Sequence, residues 1–232
     1  MIYTVSDIHG CYDKYKELLK KICFGPDDTL YVLGDVIDRG PNGFTTLLDM
    51  AQRPNVVNLM GNHEAMALDA LSRILNAAGE NGETALTKDD DEAVELWFFN
   101  GGELSLADFF WLNEEQEQTV WEYMRNMPLY KEVEAGGQQF VLVHGGLENF
   151  SLSRPLADYK SNEILWCRPE KDTVYYPDRY VVFGHTPVQV LRANAPVQIY
   201  RRDNLIDIDC GCVFPNGRLG CLCLDTMEEI YV

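Results

Sequence analysis

Positive charge is scarce in this sequence. Its 232 residues include 19 Lys and Arg against 37 Asp and Glu, a formal net charge of −18. The basic residues form no run longer than a dipeptide, at 20–21 and 201–202. Binding along a nucleic-acid backbone needs clustered Lys and Arg, so we expect no nucleic-acid partner. Two interpretations of the acidity stay open: solvated surface charge, or carboxylates that bind metal cations.

Long apolar runs and an export signal are also missing. No apolar run approaches the roughly 18 residues that a membrane span needs. The opening residues MIYTVSDIHG lack the basic and small-residue elements of a signal peptide. The seven cysteines are an odd number, which favours free thiols in a reducing compartment over a disulfide framework. We therefore expect a cytoplasmic protein without membrane contacts.

The cysteines give little sign of a zinc site. Cys210 and Cys212 form one C-x-C pair, and Cys221 and Cys223 form another, whereas zinc fingers usually use C-x2–4-C spacing. Residues i and i+2 share a face of a strand, so we interpret both pairs as buried strand cysteines. Cys11 is interpreted as a packing residue, with an oxidation role left open.

The first third of the chain alternates short apolar runs with helical patterns. The predicted strands cover residues 2–5, 29–33 and 55–60. The predicted helices cover residues 12–22, 42–52 and 64–78. Alternation of this kind predicts βαβ units and a parallel sheet.

The rest of the chain divides into a helical part and a strand-rich part. Residues 79–91 are predicted as a loop and 92–127 as mostly helical, interrupted at 100–102, so that 79–129 form a helical insertion. Strands are predicted at 130–134, 139–144, 180–183, 197–200, 205–209, 218–224 and 229–232, with a hairpin turn at Asn216-Gly217. The length fits one domain of about 100–250 residues. We predict a single α/β domain, residues 1–232, with two packed sheets.

Chemistry concentrates at the ends of predicted strands. All four histidines lie there beside Gly, Asn, Asp or Thr: His9, His63, His144 and His185. Asp7, Asp35 and Asn62 follow strands in the same way. Ligands of open α/β sheets bind outside the carboxyl ends of the strands, so we expect one shared site.

The ligand types suggest metal ions. Nitrogen and oxygen ligands without thiolates suit Mn²⁺, Fe²⁺ or Zn²⁺. Six such side chains exceed what one catalytic metal with open positions needs. They suit two metals about 3.5–4 Å apart that share a bridging carboxylate.

Five ordered motifs resemble the metallophosphoesterases of the PPP phosphoprotein phosphatase family. They are Asp7-Ile8-His9-Gly10, Gly34-Asp35-x-x-Asp38-Arg39-Gly40, Gly61-Asn62-His63-Glu64, His144-Gly145-Gly146 and Gly184-His185-Thr186. The match spans roughly residues 3–225, and stretches 97–102 and 164–168 look most like the small bacterial and bacteriophage branch. The resemblance implies a four-layer αββα sandwich of two mixed sheets flanked by helices.

The resemblance also implies a role for each site residue. One metal would be held by Asp7, His9 and the bridging Asp35, and the other by Asp35, Asn62, His144 and His185. Mn²⁺ is the expected metal, with Fe or Zn as alternatives. His63, oriented by Asp38, would protonate the leaving alkoxide. The substrate phosphate would be bound by Arg39, Arg168 and Asn62.

The chemistry of phosphate esters fits these roles. Two cations neutralise the phosphate oxygens and lower the pKa of a bound water towards about 7, so that a bridging hydroxide attacks phosphorus. The arginines match phosphate geometry with bidentate hydrogen bonds. Structural alternatives stay open for three residues: Asp38 as a turn cap, Arg168 as a surface residue and Glu64 as a helix-start carboxylate.

Three functions are compared with the sequence below. The first is hydrolysis of phosphoserine and phosphothreonine in proteins, with phosphotyrosine left open. The second is symmetrical dinucleoside tetraphosphate or nucleotide hydrolysis, whose enzymes typically carry Gly-Asn-His-Asp where this chain ends the motif with Glu64. Residues 209–214 resemble both groups. A non-catalytic metal scaffold would lack a ligand, His63 or Arg39, and none is missing. We expect no regulatory subunit.

Overall fold

Ten strands and eight α-helices are seen in the computed structural model, which describes residues 1–77, 87–192 and 196–232. The strands are β1 Ile2–Val5, β2 Thr29–Val32, β3 Val56–Asn58, β4 Tyr130–Ala135, β5 Gln138–Val143, β6 Tyr180–Phe183, β7 Tyr200–Arg202, β8 Leu205–Asp207, β9 Gly220–Cys223 and β10 Glu229–Tyr231. The helices are α1 Tyr12–Lys21, α2 Gly43–Ala51, α3 Asn62–Ala77, α4 Lys88–Phe99, α5 Glu103–Phe109, α6 Glu114–Arg125, α7 Ser161–Leu165 and α8 Val188–Leu191. A 3₁₀ helix covers Leu156–Asp158.

The first sheet has the strand order β10-β9-β1-β2-β3. Its strands β1, β2 and β3 run parallel, with Val5 opposite Val32 and Val32 opposite Asn58. This confirms the predicted βαβ units. The late strand β9 pairs antiparallel with β1, so the end of the described chain completes the sheet that its beginning starts.

The second sheet has the strand order β4-β5-β6-β8-β7. Strands β5, β6 and β8 are parallel, and each edge of the sheet is an antiparallel hairpin. Parallel strands end at the same edge of a sheet, so the loops that follow β5 and β6 lie close together.

The two sheets pack face to face between helical layers. Alternate side chains of facing strands, such as Leu222 of the first sheet and Phe140 and Ile206 of the second, form one apolar cluster between the sheets. The outer face of the first sheet packs against helices α1 to α6 through residues such as Leu18 and Phe44. The outer face of the second sheet is covered by the 3₁₀ helix and α7. The predicted two-sheet sandwich flanked by helices is therefore confirmed.

The hairpin predicted at Asn216-Gly217 is wrong. A turn exists there, with Asn216 at φ 64°, but it lies between β8 of the second sheet and β9 of the first. A tight two-residue hairpin occurs instead at Asp203-Asn204, where β7 turns into β8. The strand predicted at 197–200 accordingly begins only at Tyr200.

The predicted loop 79–91 is also partly wrong. Residues 79–86 lie outside the described residues, as does residue 78 of the predicted third helix, but 88–91 belong to α4. Thr87 caps that helix: its side chain accepts from Asp90 N, and Asp90 accepts from Thr87 N at 2.9 Å. Acidic residues in a first turn favour helix formation, so the polar stretch that we interpreted as a loop begins a helix.

The cysteines follow the prediction in part. Cys221 and Cys223 lie in β9, whereas Cys210 and Cys212 are buried in the loop after β8 and not in a strand. All seven cysteines are free. Among the described residues, no helix has the length and apolar character that crossing a membrane requires. The single-domain prediction stays a prediction.

Candidate active site

Five segments that follow strands bring the predicted residues to one place. The loops after β1, β2, β5 and β6 carry Asp7 and His9; Asp35, Asp38 and Arg39; His144; and His185, and the start of α3, after β3, carries Asn62 and His63. The carboxylates, the amide and the histidines of this set are all buried, whereas Arg39 is exposed. Arg168 is exposed beside His185, after α7. Burial of this many polar groups requires partners for them.

The site loops use backbone conformations that side chains rarely adopt. Six of the eleven described non-glycine residues with φ between 46° and 68° belong to the site: Asp7, His9, Asp35, Asp38, Arg39 and His185. Such left-handed residues cost free energy and cluster at functional sites. The sharp turns they make aim the side chains back over the strand ends.

Two glycines let these loops approach each other. A Cβ on Gly61 would overlap the side chain and backbone of Asp35, and a Cβ on Gly184 would overlap Ser6 and Asp7. Only glycine fits at such close backbone approaches. The glycines of the motifs are therefore required by the packing of the site.

Asp35 lies at the centre of the cluster. Its Oδ2 is 3.8 Å from His9 Nε2 and 3.7 Å from His63 Nε2, and its Oδ1 is 3.4 Å from His144 Nε2. One carboxylate therefore faces two groups of nitrogen ligands, as a bridging ligand must.

The second group of ligands surrounds His144. Its Nε2 is 2.9 Å from Asn62 Oδ1 and 3.2 Å from His185 Nδ1. Asp35, His144 and His185 can place ligand atoms within 4.8 Å of one another, which is close enough to share a cation.

The first group contains His9, Asp35 and His63, again within 4.8 Å. Asp7 lies beside this group, with Oδ1 3.9 Å from His9 Nε2, and its Oδ2 accepts from His185 N at 2.9 Å. The geometry therefore brings together all six predicted metal ligands, and it adds His63 as a further ligand candidate.

The tautomers of two histidines suit metal binding. His9 Nδ1 donates to Ile37 O at 2.8 Å, and His144 Nδ1 donates to Leu33 O at 2.7 Å. Each Nε2 therefore presents a lone pair to the site, the arrangement that carbonyl acceptors impose on metal-binding histidines. The donor set fits divalent cations.

The charges of the site also fit divalent cations. Burial raises the pKa of Asp35 well above its ordinary value, and the neighbouring Asp7 raises it further. Burial lowers the pKa values of His9 and His185, which keeps both imidazoles neutral as ligands must be. Bound cations would offset the repulsion between these carboxylates.

His63 is held by a buried carboxylate. Its Nδ1 donates to Asp38 Oδ2 at 2.7 Å. Asp38 also accepts from Trp97 Nε1 at 2.9 Å, and its backbone N donates to Ser105 Oγ at 2.8 Å. Burial raises the pKa of Asp38 to about 7 and lowers the pKa of His63. The alternative of Asp38 as a mere turn cap does not account for these contacts.

The two arginines lie at the rim. Arg39 donates from Nη1 to His9 Nε2 at 2.7 Å and from Nη2 to His63 Nε2 at 3.0 Å. Arg168 Nη1 donates to Thr186 Oγ1 at 3.0 Å. Both guanidinium groups lie next to the buried cluster on its solvent side.

The sequence gives no signal for three of the contacts that hold the site together. Trp97 and Ser105 come from the predicted helical insertion 79–129 and contact Asp38, and Ser6 Oγ donates to Asp7 Oδ2. Glu64 accepts four backbone N–H groups, from Asp35, Val36, Ile37 and Gly61. Glu64 thus fixes the turn of Asp35, beyond the helix-start role that we interpreted for it.

The chain is similar to known proteins. A sequence model of the family described as calcineurin-like phosphoesterase matches residues 1–204. The serine/threonine-protein phosphatase 2 of Salmonella typhimurium is 31% identical over 178 residues, which are 72% of this chain and 67% of that protein. The symmetrical bis(5'-nucleosyl)-tetraphosphatase of Acidovorax ebreus is 32% identical over 201 residues, 84% of this chain and 57% of that protein.

Solved structures share the fold. A crystal structure of a candidate diadenosine tetraphosphatase aligns over 100% of this chain and 92% of its own, with a TM-score of 0.68 and 20% identity. A cold-active protein-tyrosine phosphatase of a psychrophilic Shewanella aligns over 99% of this chain and 79% of its own, with a TM-score of 0.57 and 17% identity.

Proposed function

Because the chain belongs to the calcineurin-like phosphoesterase family, we propose that it hydrolyses phosphoserine and phosphothreonine monoesters in proteins with two divalent cations, Mn²⁺ above all. The observation that carries hydrolysis is the position of Asp35 between two groups of histidine nitrogens. A cytoplasmic location accompanies this proposal as a prediction from the sequence.

The proposed metal ligands divide between the two groups. One cation would be held by Asp7, His9 and Asp35, and the other by Asp35, Asn62, His144 and His185. Bound divalent cations neutralise phosphate oxygens and acidify water. The buried carboxylates and neutral imidazoles of this chain hold the positive charge in place for that chemistry.

In its doubly protonated form His63 would supply the proton to the leaving oxygen; in this structure its Nε2 accepts from Arg39 instead. Asp38 accepts from Nδ1 and so fixes the imidazole with Nε2 towards the site. A histidine oriented by a carboxylate suits general acid catalysis. If His63 bound a metal instead, it could not act as the general acid. The metal content of a His63 variant therefore distinguishes the general-acid role from the metal-ligand role.

Arg39 and Arg168 bind the phosphoryl oxygens. Their guanidinium groups match phosphate with paired N–H donors, and Asn62 adds an amide beside His144.

A second candidate function is hydrolysis of symmetrical dinucleoside tetraphosphates. It is favoured by the relative of that description in Acidovorax ebreus, 32% identical over 84% of this chain. In contrast, the tetraphosphatases typically have Asp after Gly-Asn-His, where this chain has Glu64. This difference favours the protein phosphatase function.

A substrate panel tests the proposal. With Mn²⁺ present, kcat/KM is measured on a phosphothreonine peptide and on diadenosine tetraphosphate. We expect the peptide to be preferred at least tenfold, a difference of about 1.4 kcal/mol. Asp35→Asn serves as the control and should remove both activities. A preference for the dinucleotide would establish the second candidate in its place.

A further inference from the structure

Half of the net negative charge of this protein lies in the helical segment beside the active site. Residues 88–125, which form α4, α5 and α6, carry 11 Asp and Glu against two Lys and Arg, a net charge of −9 out of the −18 of the whole chain. They make up less than a fifth of its length. None of these acidic residues is a proposed metal ligand, so the proposed hydrolysis does not explain the concentration of charge.

The same segment exposes large apolar side chains. Phe99 is 90% exposed at the end of α4, and Trp111 is 88% exposed shortly after α5. The side chains of Leu96, Leu104 and Phe110 are between 49% and 59% exposed. Several large apolar side chains left in water within one segment indicate a surface for interaction, whereas single exposed ones do not.

Charged and apolar residues share the exposed side of α4. At the 3.6-residue spacing of a helix, five exposed residues fall on one face. We call them the α4 stripe: Asp91, Glu92, Glu95, Leu96 and Phe99. Among the described residues, the only ion pair of the stripe joins Glu92 to Lys88 of the same helix. The stripe therefore has an apolar end and a run of carboxylates that no other element neutralises.

The apolar end of the α4 stripe lies near a proposed phosphate ligand. Gly101, two residues after Phe99, accepts through its O from Arg39 N at 3.0 Å, and a Cβ on Gly101 would lie 3.0 Å from Arg39 Cγ. On the opposite side of α4, Trp97 donates to Asp38. The helix thus turns its buried side to the proposed catalytic residues and its exposed side to the solvent at the rim of the site.

The charge of the α4 stripe decides which partner fits it. A second copy of this chain carries the same −18, so that like charges oppose contact between copies. A protein segment with an apolar residue and several Lys or Arg would cover Leu96 and Phe99 and pair with the carboxylates. A protein whose phosphoryl group enters the site can place such a segment there, whereas a dinucleoside polyphosphate brings only more negative charge.

We propose that the α4 stripe binds a basic segment that flanks the phosphorylated residue of protein substrates, an inference that rests on the proposed protein phosphatase function. From Phe99 back to Asp91 the helix rises about 1.5 Å per residue, or about 12 Å in all. An extended peptide covers that distance in about four residues. The apolar residue of the segment therefore lies nearer to the phosphorylated residue, and its basic residues follow within about four positions.

Binding of a peptide without phosphate tests the α4 stripe independently of catalysis. The probe is a fluorescein-labelled peptide with one Leu followed by three Lys, made in both chain directions, and its control has Gln in place of each Lys. Fluorescence anisotropy measures the Kd of each peptide on the full chain loaded with Mn²⁺. We expect the better Lys peptide to bind at least about fivefold more tightly than its control, and high salt to abolish the difference. Equal Kd values at low salt would overturn the proposal.

Matched variants locate the binding. Phe99→Ser and Glu95→Lys should each weaken binding of the Lys peptide about fivefold, since one removes an exposed apolar contact and the other reverses a surface charge. Leu152→Ser and Glu17→Lys, at exposed positions of other elements, should bind as wild type does. Equal effects of Phe99→Ser and Leu152→Ser would overturn the location. A dimer that Phe99→Ser abolishes, detected by sedimentation velocity, would assign the stripe to a second copy instead.

Kinetics connect the α4 stripe to the site. Values of kcat/KM on phosphothreonine peptides with Lys or Gln flanks are divided by kcat/KM on p-nitrophenyl phosphate, which has no flanking residues. We expect the ratio to favour the Lys flank in wild type and to lose that preference in Phe99→Ser. No preference in wild type would overturn the link to substrates. Hydrolysis of diadenosine tetraphosphate without hydrolysis of any peptide would overturn the proposed function, while the anisotropy still decides whether the stripe binds a basic segment.

Discussion

His63 is the residue whose role depends most on its surroundings. It is buried against Asp38 and faces both Asp35 and Arg39. We predict that His63→Asn lowers kcat on a phosphothreonine peptide by about 10²–10⁴-fold, the usual contribution of a general acid. The loss on p-nitrophenyl phosphate should be smaller, because its leaving group departs without a proton.

Metal analysis of the His63→Asn variant decides whether His63 is a general acid or a metal ligand. Two metal equivalents per chain should remain in His63→Asn. Loss of one equivalent, or equal loss of kcat on both substrates, would assign His63 to the metals instead.

Glu64 is predicted to hold the turn of Asp35 in place. Its carboxylate accepts from the backbone N–H groups of Asp35, Val36, Ile37 and Gly61. In Glu64→Gln the amide NH₂ faces one of these donors and leaves it unpaired, which costs about 1–3 kcal/mol of unfolding free energy. Urea unfolding measures the cost, with exposed Glu17→Gln as control. Equal stability of the two variants would contradict this anchoring role.

The positions of the site residues could be predicted from the sequence, but the hydrogen bonds that hold their side chains in place could not. Histidines and carboxylates directly after strands point to a shared edge, and the structure brings them together there. Trp97 and Asp38 carry no sequence signal that links them, since a tryptophan in a helical pattern looks like any packing residue. Long-range hydrogen bonds of this kind depend on tertiary structure.

At the scale of elements, α4 and α5 contribute to the site through their contacts with Asp38. Trp97 is fully buried, and its Nε1 donates to the carboxylate that holds His63. We predict that Trp97→Phe, which removes this donor, lowers kcat about tenfold, the lower end of effects for residues that orient catalytic groups. KM should change little, because the hydrogen bonds that this substitution removes go to Asp38 and not to a proposed phosphate ligand. Steady-state kinetics on the phosphothreonine peptide separate the two parameters, and an unchanged kcat would show that Asp38 needs no such support.

Helices α1 and α2 are joined through Asp49. Burial opposes its charge, but hydrogen bonds from Arg53, Lys16 and Tyr12 outweigh burial and lower the pKa of Asp49 to about 2. Since this pKa lies below the ordinary 3.8, Asp49 stabilises the fold above about pH 4 and loses that effect as the pH falls towards 2.

The corresponding variant is Asp49→Asn. We predict a melting temperature about 2–4 °C below wild type near neutral pH, and a difference that shrinks between pH 4 and pH 2. Asp69→Asn, which removes an exposed i,i+4 ion pair with Arg73, should have a smaller effect. A difference independent of pH across this range would contradict the ion-pair explanation.

The presence of a helix or strand was easier to predict than the residues where it ends or the sheet to which a strand belongs. Hydrophobic periodicity located β1 and β6 at the bounds that the structure has. The start of α4 was missed because a capping box in an acidic stretch resembles a loop. The turn at Asn216-Gly217 was recognised, but no local signal says that the two strands beside it belong to different sheets.

At the scale of the whole molecule, the proposed metal ligands come from both sheets. Asp7, Asp35 and Asn62 follow strands of the first sheet, and His144 and His185 follow strands of the second. Cations bound there would join the two layers. A ligand that binds only the folded state at 100 times its Kd adds about 2.7 kcal/mol of stability.

We therefore predict that Mn²⁺ raises the melting temperature relative to protein treated with EDTA. Differential scanning fluorimetry measures the shift, which should be largely lost in Asp35→Asn because Asp35 faces both groups of ligands. An equal shift in that variant would place the stabilising ions elsewhere on this acidic chain.

The pairing of β1 with β9 has a consequence for biosynthesis. Strand β1 is made first but has only β2 beside it until residues 220–223 leave the ribosome. During that interval the nascent chain presents an unpaired strand edge, the kind of surface that promotes aggregation. Chaperone demand should therefore last until β9 has been made, and a ribosome that stalls before β9 would release a polypeptide unable to complete its first sheet.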